Sequence, residues 1–126
     1  MQKKLPHLGA ILCAVALLGV VKPAAAGSYG ALATSPKADF GYSYNFDDAE
    51  EAKRRALVEC AQHSSECQVK GTFQDTCVSI VKASNGAMGW AWGHGRAEDE
   101  RLAMNECQKN KGDDCKFSRR FCTGNP

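Results

Sequence analysis

The chain has 126 residues, 44% of them hydrophobic and 24% charged, a length that corresponds to one small domain. Its formal charge of +2 includes Lys3, Lys4 and Lys22, which lie in an N-terminal segment read below as removed; without them the charge is about −1. A near-neutral chain lacks the clustered Lys and Arg that neutralise phosphates, so nucleic acid is not an expected partner.

Lys3 and Lys4 are followed by a continuous small and apolar run from Leu8 to Val21 and by Ala24-Ala25-Ala26. That order predicts a signal peptide over residues 1–26, cleaved after Ala26. The run of about 14 residues is shorter than the roughly 20 a membrane-spanning helix needs, and no later stretch is more apolar. Cys13 follows Leu12 inside the run, whereas a lipid-attachment cysteine follows a small residue at its end. The expected product is a secreted or periplasmic single domain over residues 27–126 with six cysteines and no membrane span.

In chain order, Tyr29 to Thr34 is a short β-like run, Ser35 to Asp39 a turn, and Phe40 to Phe46 a strand alternating aromatic with small residues. Asp47 or Asp48 caps a helix whose apolar stripe is Ala49, Ala52, Ala56, Leu57 and Cys60, with Glu50 and Glu51 in its first turn. Cys67 to Phe73 alternates as a strand with one wet face.

A second unit repeats this order: Cys77 to Ala83, a turn at Ser84-Asn85-Gly86, Met88 to Gly93, a helix from about Ala97 to Lys109, and Cys115 to Cys122. An offset of 48 superimposes Gly41 on Gly89, Cys67 on Cys115 and Phe73 on Phe121. The repeats run over about 29–74 and 77–122, with only Gln74-Asp75-Thr76 between them. Two tandem strand-strand-helix-strand units predict an α+β fold: one six-stranded, mostly antiparallel sheet with both helices on one face. In the last strand, Cys115, Phe117, Arg119 and Phe121 are expected to share a face.

Six cysteines in a short exported chain imply a disulfide framework, and the repeat selects among the 15 pairings. Cys60 and Cys107 end helices and Cys67 and Cys115 begin the next strands, giving Cys60–Cys67 and Cys107–Cys115. Cys77 and Cys122 have no cysteine counterparts and are left to pair with each other.

The segments Tyr29-Gly-Ala-Leu-Ala33, Gly41-Tyr-Ser-Tyr44 and Gly89-Trp-Ala-Trp-Gly93, with the Ala-rich helices ending at Cys60 and Cys107, resemble a bacterial family known as domain of unknown function 4189. The resemblance covers nearly all of residues 27–126 and departs at Val78-Ser79-Ile80-Val81, where a Gly-Ala-Leu-Ala type of segment is more usual. It implies an exported, disulfide-stapled fold, with some members linked to host or competitor interaction. It supplies no catalytic residue.

Catalysis needs a nucleophile, an acid/base pair or a metal within mutual reach. Paired cysteines leave no thiolate. His63 between Cys60 and Cys67 has the spacing of a zinc half-site, but the second unit has no histidine there and disulfide spacing accounts for the cysteines. Neither a metal nor any other cofactor is expected. The acids that open both helices serve as caps and dipole partners. The candidate binding residues are Tyr42, Tyr44, Trp90 and Trp92, an aromatic ladder that either fills the core or forms a platform, with His94 at the mouth of the second helix and Arg119. A structural salt bridge to a helix acid is the expected role of Arg119.

The resulting expectation is a non-catalytic secreted or periplasmic module that binds another protein, as an effector, inhibitor or immunity-type protein. One alternative is a small secreted hydrolase of envelope polymers using His94 and an acid of the second helix. The other is a structural envelope protein.

Overall fold

A computed structural model describes residues 27–126; the predicted signal peptide and its cleavage site lie outside them. The element order is β1 (Tyr29–Thr34), β2 (Phe40–Phe46), α1 (Ala49–Ala61), β3 (Gln68–Gln74), β4 (Thr76–Lys82), β5 (Met88–Trp92), α2 (Arg96–Lys109) and β6 (Lys116–Thr123). The same strand-strand-helix-strand order thus occurs twice.

The fold is α+β and disulfide-stapled, but the strands form two antiparallel sheets, β2-β1-β3 and β5-β4-β6, rather than one of six. The helices do not share a face. α1 packs on Ala31 and Ala33 through Ala52, Ala56 and Cys60, while α2 packs on Val81 and Ala91 through Ala103 and Cys107. Between the sheets lies a third cluster drawn from both halves: Leu32, Phe73, Val78, Ile80, Met88 and Phe121. The layers therefore run helix, sheet, sheet, helix.

The reason is the double burial of the central strands. Ala31, Leu32 and Ala33 of β1 and Val78, Ser79, Ile80 and Val81 of β4 are all buried, so each strand needs cover on both faces. A sheet with one wet face cannot give it. Asp75, with φ +50°, is the single residue between β3 and β4 that redirects the chain from one sheet to the other.

Both helices lie close upon their sheets because a glycine sits beneath each. A methyl group at Gly41 would collide with the backbone of Ala56 and Cys60, and one at Gly89 with the backbone of Ala103 and Cys107. Small helix residues above and glycine below bring backbone against backbone. Local signals set the helix starts: Asp48 accepts from the Glu51 N–H at 2.8 Å, whereas α2 begins at Gly95 with no side-chain cap.

Cys60–Cys67 and Cys107–Cys115 tie each helix end to the strand after it, and Cys77–Cys122 joins directly paired residues of β4 and β6. The β1–β3 and β4–β6 pairings each carry one bulge, and β1–β2 shifts register once more between Tyr29 and Ala31. β1 pairs Leu32 with Gly71 and Ala33 with Val69, leaving Lys70 extra, and β4 pairs Ile80 with Arg119 and Val81 with Phe117, leaving Ser118 extra. The second bulge breaks the expected alternation, since an extra residue reverses the side-chain parity. Phe117 turns toward α2, where Arg96 covers its ring at 5.8 Å, and Arg119 turns to the other face of the sheet.

Candidate site along the β2 edge

β2 is the outer strand of its sheet, and its second edge has no strand partner. Beside that edge runs a groove of about 640 Å³, bounded by Arg55 and Glu59 of α1 and His63 of the turn after it on one side and by Lys82, Ser118 and Arg119 of the other sheet on the opposite side. Its floor is aromatic: Phe40, Tyr42 and Tyr44 are spaced at 6.4 and 6.3 Å with rings within 28° of parallel.

The ladder divides into inner and outer members. Tyr42 stacks on Phe121 at 4.5 Å and belongs to the layer between the sheets, whereas Tyr44 is 54% exposed. In the second unit Trp90 packs against the same central cluster, and Trp92, 47% exposed, meets Phe73 edge-on at 5.1 Å. Tyr42, Tyr44 and Arg119 are thus brought together in one groove. Trp90, Trp92 and His94 are not part of it.

Arg119 makes no salt bridge among the described residues; its guanidinium lies 5.9 Å from the centroid of Tyr42. The salt bridge to a helix acid expected of it is made by the next residue. Arg120 Nη1 donates to Asp99 Oδ2 at 3.2 Å and to Ser79 Oγ at 2.7 Å. Asp99 is wholly buried and also accepts from the backbone N–H of His94 at 3.2 Å, with His94 Nδ1 at the same distance. Gly93 and Gly95, both with positive φ, flank His94 and let the loop fold back over the start of α2. Among the described residues no cluster of three His, Cys, Asp or Glu has the arrangement of a metal site.

A family model described as Domain of unknown function (DUF4189) matches residues 29–122. The chain belongs to that family. No curated protein and no solved structure matches it. The DUF4189 chain has three disulfides, which fit an oxidising extracellular or periplasmic environment, and none of its described helices is long and apolar enough to cross a membrane.

A second groove of about 350 Å³ lies on the β5 edge of this DUF4189 chain, and the repeat relates it to the first. Met88 and Trp90 stand where the first groove has Phe40 and Tyr42, and Asn110 stands where it has His63. One bond at the β5 edge has no counterpart beside Phe40, while the far end of β2 is held by Asn45, whose N–H donates to Thr123 Oγ1 at 3.0 Å and whose Oδ1 accepts from the Gly124 N–H at 2.8 Å. Asn110 Nδ2 donates to the Met88 carbonyl at 2.8 Å, whereas no hydrogen bond joins His63 to Phe40 among the described residues.

Sequence reasoning missed Lys82, Arg55 and Glu59 in the groove and Asp99 beneath His94. The repeat held a signal for two of them: Lys82 aligns with Thr34, and Asp99 falls on the buried helix stripe where the first unit has Ala52.

Proposed function

We propose that this protein is an exported, non-catalytic binding module that takes up an extended segment of another protein along the free edge of β2. The observation that carries the reading is the character of that edge. From Phe40 to Phe46 it holds no charged residue and no proline, the devices that keep exposed strands from pairing. The other outer strands are guarded: β3 carries Lys70, β6 carries Lys116, Arg119 and Arg120, and Asn110 bonds to the β5 edge. Strand addition draws affinity from main-chain hydrogen bonds and specificity from alternate side chains, which here would meet the aromatic floor. An effector, inhibitor or immunity-type protein is the class of module this fits, acting in the periplasm or outside the cell after removal of the signal segment.

The test is capture from envelope and medium fractions with the oxidised protein and with Tyr44→Lys, which places a guarding charge on an exposed position of the edge. Partners held by the wild type and lost by the variant, at unchanged melting temperature, support the reading. Partners retained by both remove its basis.

One contact favours a second reading, a small hydrolase of envelope polymers: buried Asp99 faces the imidazole of a 58% exposed His94, the arrangement that orients a general base. Against it, the hydroxyl of the network, Ser79, is wholly buried and already accepts from Arg120. Peptidoglycan hydrolysis abolished by His94→Ala would favour this reading over the first.

A further inference from the structure

We infer that the occupant of the β2 groove is an acidic protein segment in extended conformation, with carboxylate side chains at positions i and i+2. The inference rests on the strand-addition reading and adds the chemistry of the partner.

Two cations stand over the aromatic floor. Lys82 Nζ lies 5.5 Å from the centroid of Phe40, and Arg119 Cζ lies 5.9 Å from that of Tyr42. Both side chains are exposed, and among the described residues neither has a carboxylate partner. The third cation of the groove, Arg55, is already engaged, with Glu59 at 2.8 Å. That pair removes one of the two groove acids from play and leaves Asp39, next to Phe40, as the other.

The spacing of the cations sets the pattern they read. The Phe40 and Tyr42 rings are 6.4 Å apart, and alternate side chains of an extended strand repeat every ~6.8 Å. A strand laid along β2 therefore presents one side chain to Lys82 and the next but one to Arg119. Carboxylates at those two places would pair with cations that now rest only on aromatic faces, and the Arg119 fork suits a carboxylate in particular.

The repeat provides an internal comparison. The counterparts of Lys82 and Arg119 are Thr34 and Gly71. The β5 groove has Trp90, a bonded edge and a single lysine, Lys70, but no counterpart of the two cations over the rings, so the paired-carboxylate preference belongs to one groove and not to the fold.

The experiment measures binding of a short fluorescein-labelled peptide that alternates glutamate with threonine to the oxidised protein. The comparison probes are its glutamine–threonine counterpart, a peptide of the same composition with the glutamates adjacent, and polygalacturonate. The expected result is binding of the alternating acidic peptide that weakens with added salt and falls about tenfold in each of Lys82→Gln and Arg119→Gln, with near-ultraviolet circular dichroism unchanged. Equal binding of the glutamine peptide overturns the acidic partner while leaving strand addition standing. Equal binding of the adjacent-glutamate peptide overturns the two-residue spacing. Arg119-dependent binding of polygalacturonate without peptide binding assigns the groove to a polysaccharide and overturns the proposal. Failure of every extended peptide overturns both the acidic partner and the strand-addition reading.

Discussion

Asp99 places its carboxylate 3.2 Å from Arg120 Nη1, and no part of Asp99 reaches solvent. The pair is buried on the helix side of the second sheet, and it also fixes the loop that carries His94. The first unit has Ala52, Ala31 and Thr72 where the second has Asp99, Ser79 and Arg120, so the same architecture is built once with and once without charge.

Asp99→Ala leaves Arg120 without its counter-ion in a largely buried place and is expected to cost about 3 kcal/mol. The triple change Asp99→Ala, Ser79→Ala, Arg120→Thr copies the first unit and is expected to recover more than half of that loss. Urea unfolding of the oxidised proteins measures both.

The ladder gives a contrast within one strand. Tyr42→Ala removes a ring stacked on Phe121 between the sheets and is expected to destabilise by about 3 kcal/mol, whereas Tyr44→Ala, at an exposed ring, is expected to change stability by less than about 0.5 kcal/mol. Thermal unfolding of the two variants distinguishes them.

Loop lengths rank the disulfides. The sequence separation is 45 for Cys77–Cys122 and 7 for Cys60–Cys67. On the chain-entropy account these correspond to about 4 and about 2.4 kcal/mol. Replacing both members of a pair by Ala is therefore expected to lower the unfolding midpoint further for the long loop. Cys60 is buried and Cys122 exposed, so Cys60→Ala adds a packing loss that narrows the gap.

Asp114 ties the loop before β6 to the β4–β5 turn, accepting from the Ser84 hydroxyl at 2.5 Å and from its N–H at 2.8 Å. These two bonds hold its carboxyl below the ordinary value of 3.8. A folded value below the unfolded one contributes stability that is present above the unfolded value and is lost as pH falls through the folded one. Carboxyl titration by nuclear magnetic resonance should place Asp114 below 3.8 and move it upward in Ser84→Ala. Exchange protection of the Ser84 amide should disappear over the same acid range.

The α+β class was legible because period-two strands and an alanine stripe at helical spacing are local patterns. The layer arrangement was not read, although Ala31-Leu32-Ala33 and Val78-Ser79-Ile80-Val81 bear its mark. Neither run has a wet face, and a strand without one lies between two layers. The reversal between Phe117 and Arg119 had no local marker, since nothing distinguishes Ser118 as an extra residue before β4 is laid beside it. The aromatic floor could be read from β2 alone. Its cations come from β4 and β6, so their place over Phe40 and Tyr42 depends on how the two sheets face each other.

The three disulfides also impose an order of events. The first unit closes its own bridge, but in the second Cys107–Cys115 is nested inside Cys77–Cys122. Where cysteines oxidise in the order in which they leave a translocation channel, Cys77 meets Cys107 before its partner has emerged. The native bridge then forms only if a thiol–disulfide isomerase reverses that error, or if Cys77 stays reduced until β6 has docked on β4. Under that order of oxidation, maturation would depend either on an isomerase or on β6 docking before Cys77 is oxidised.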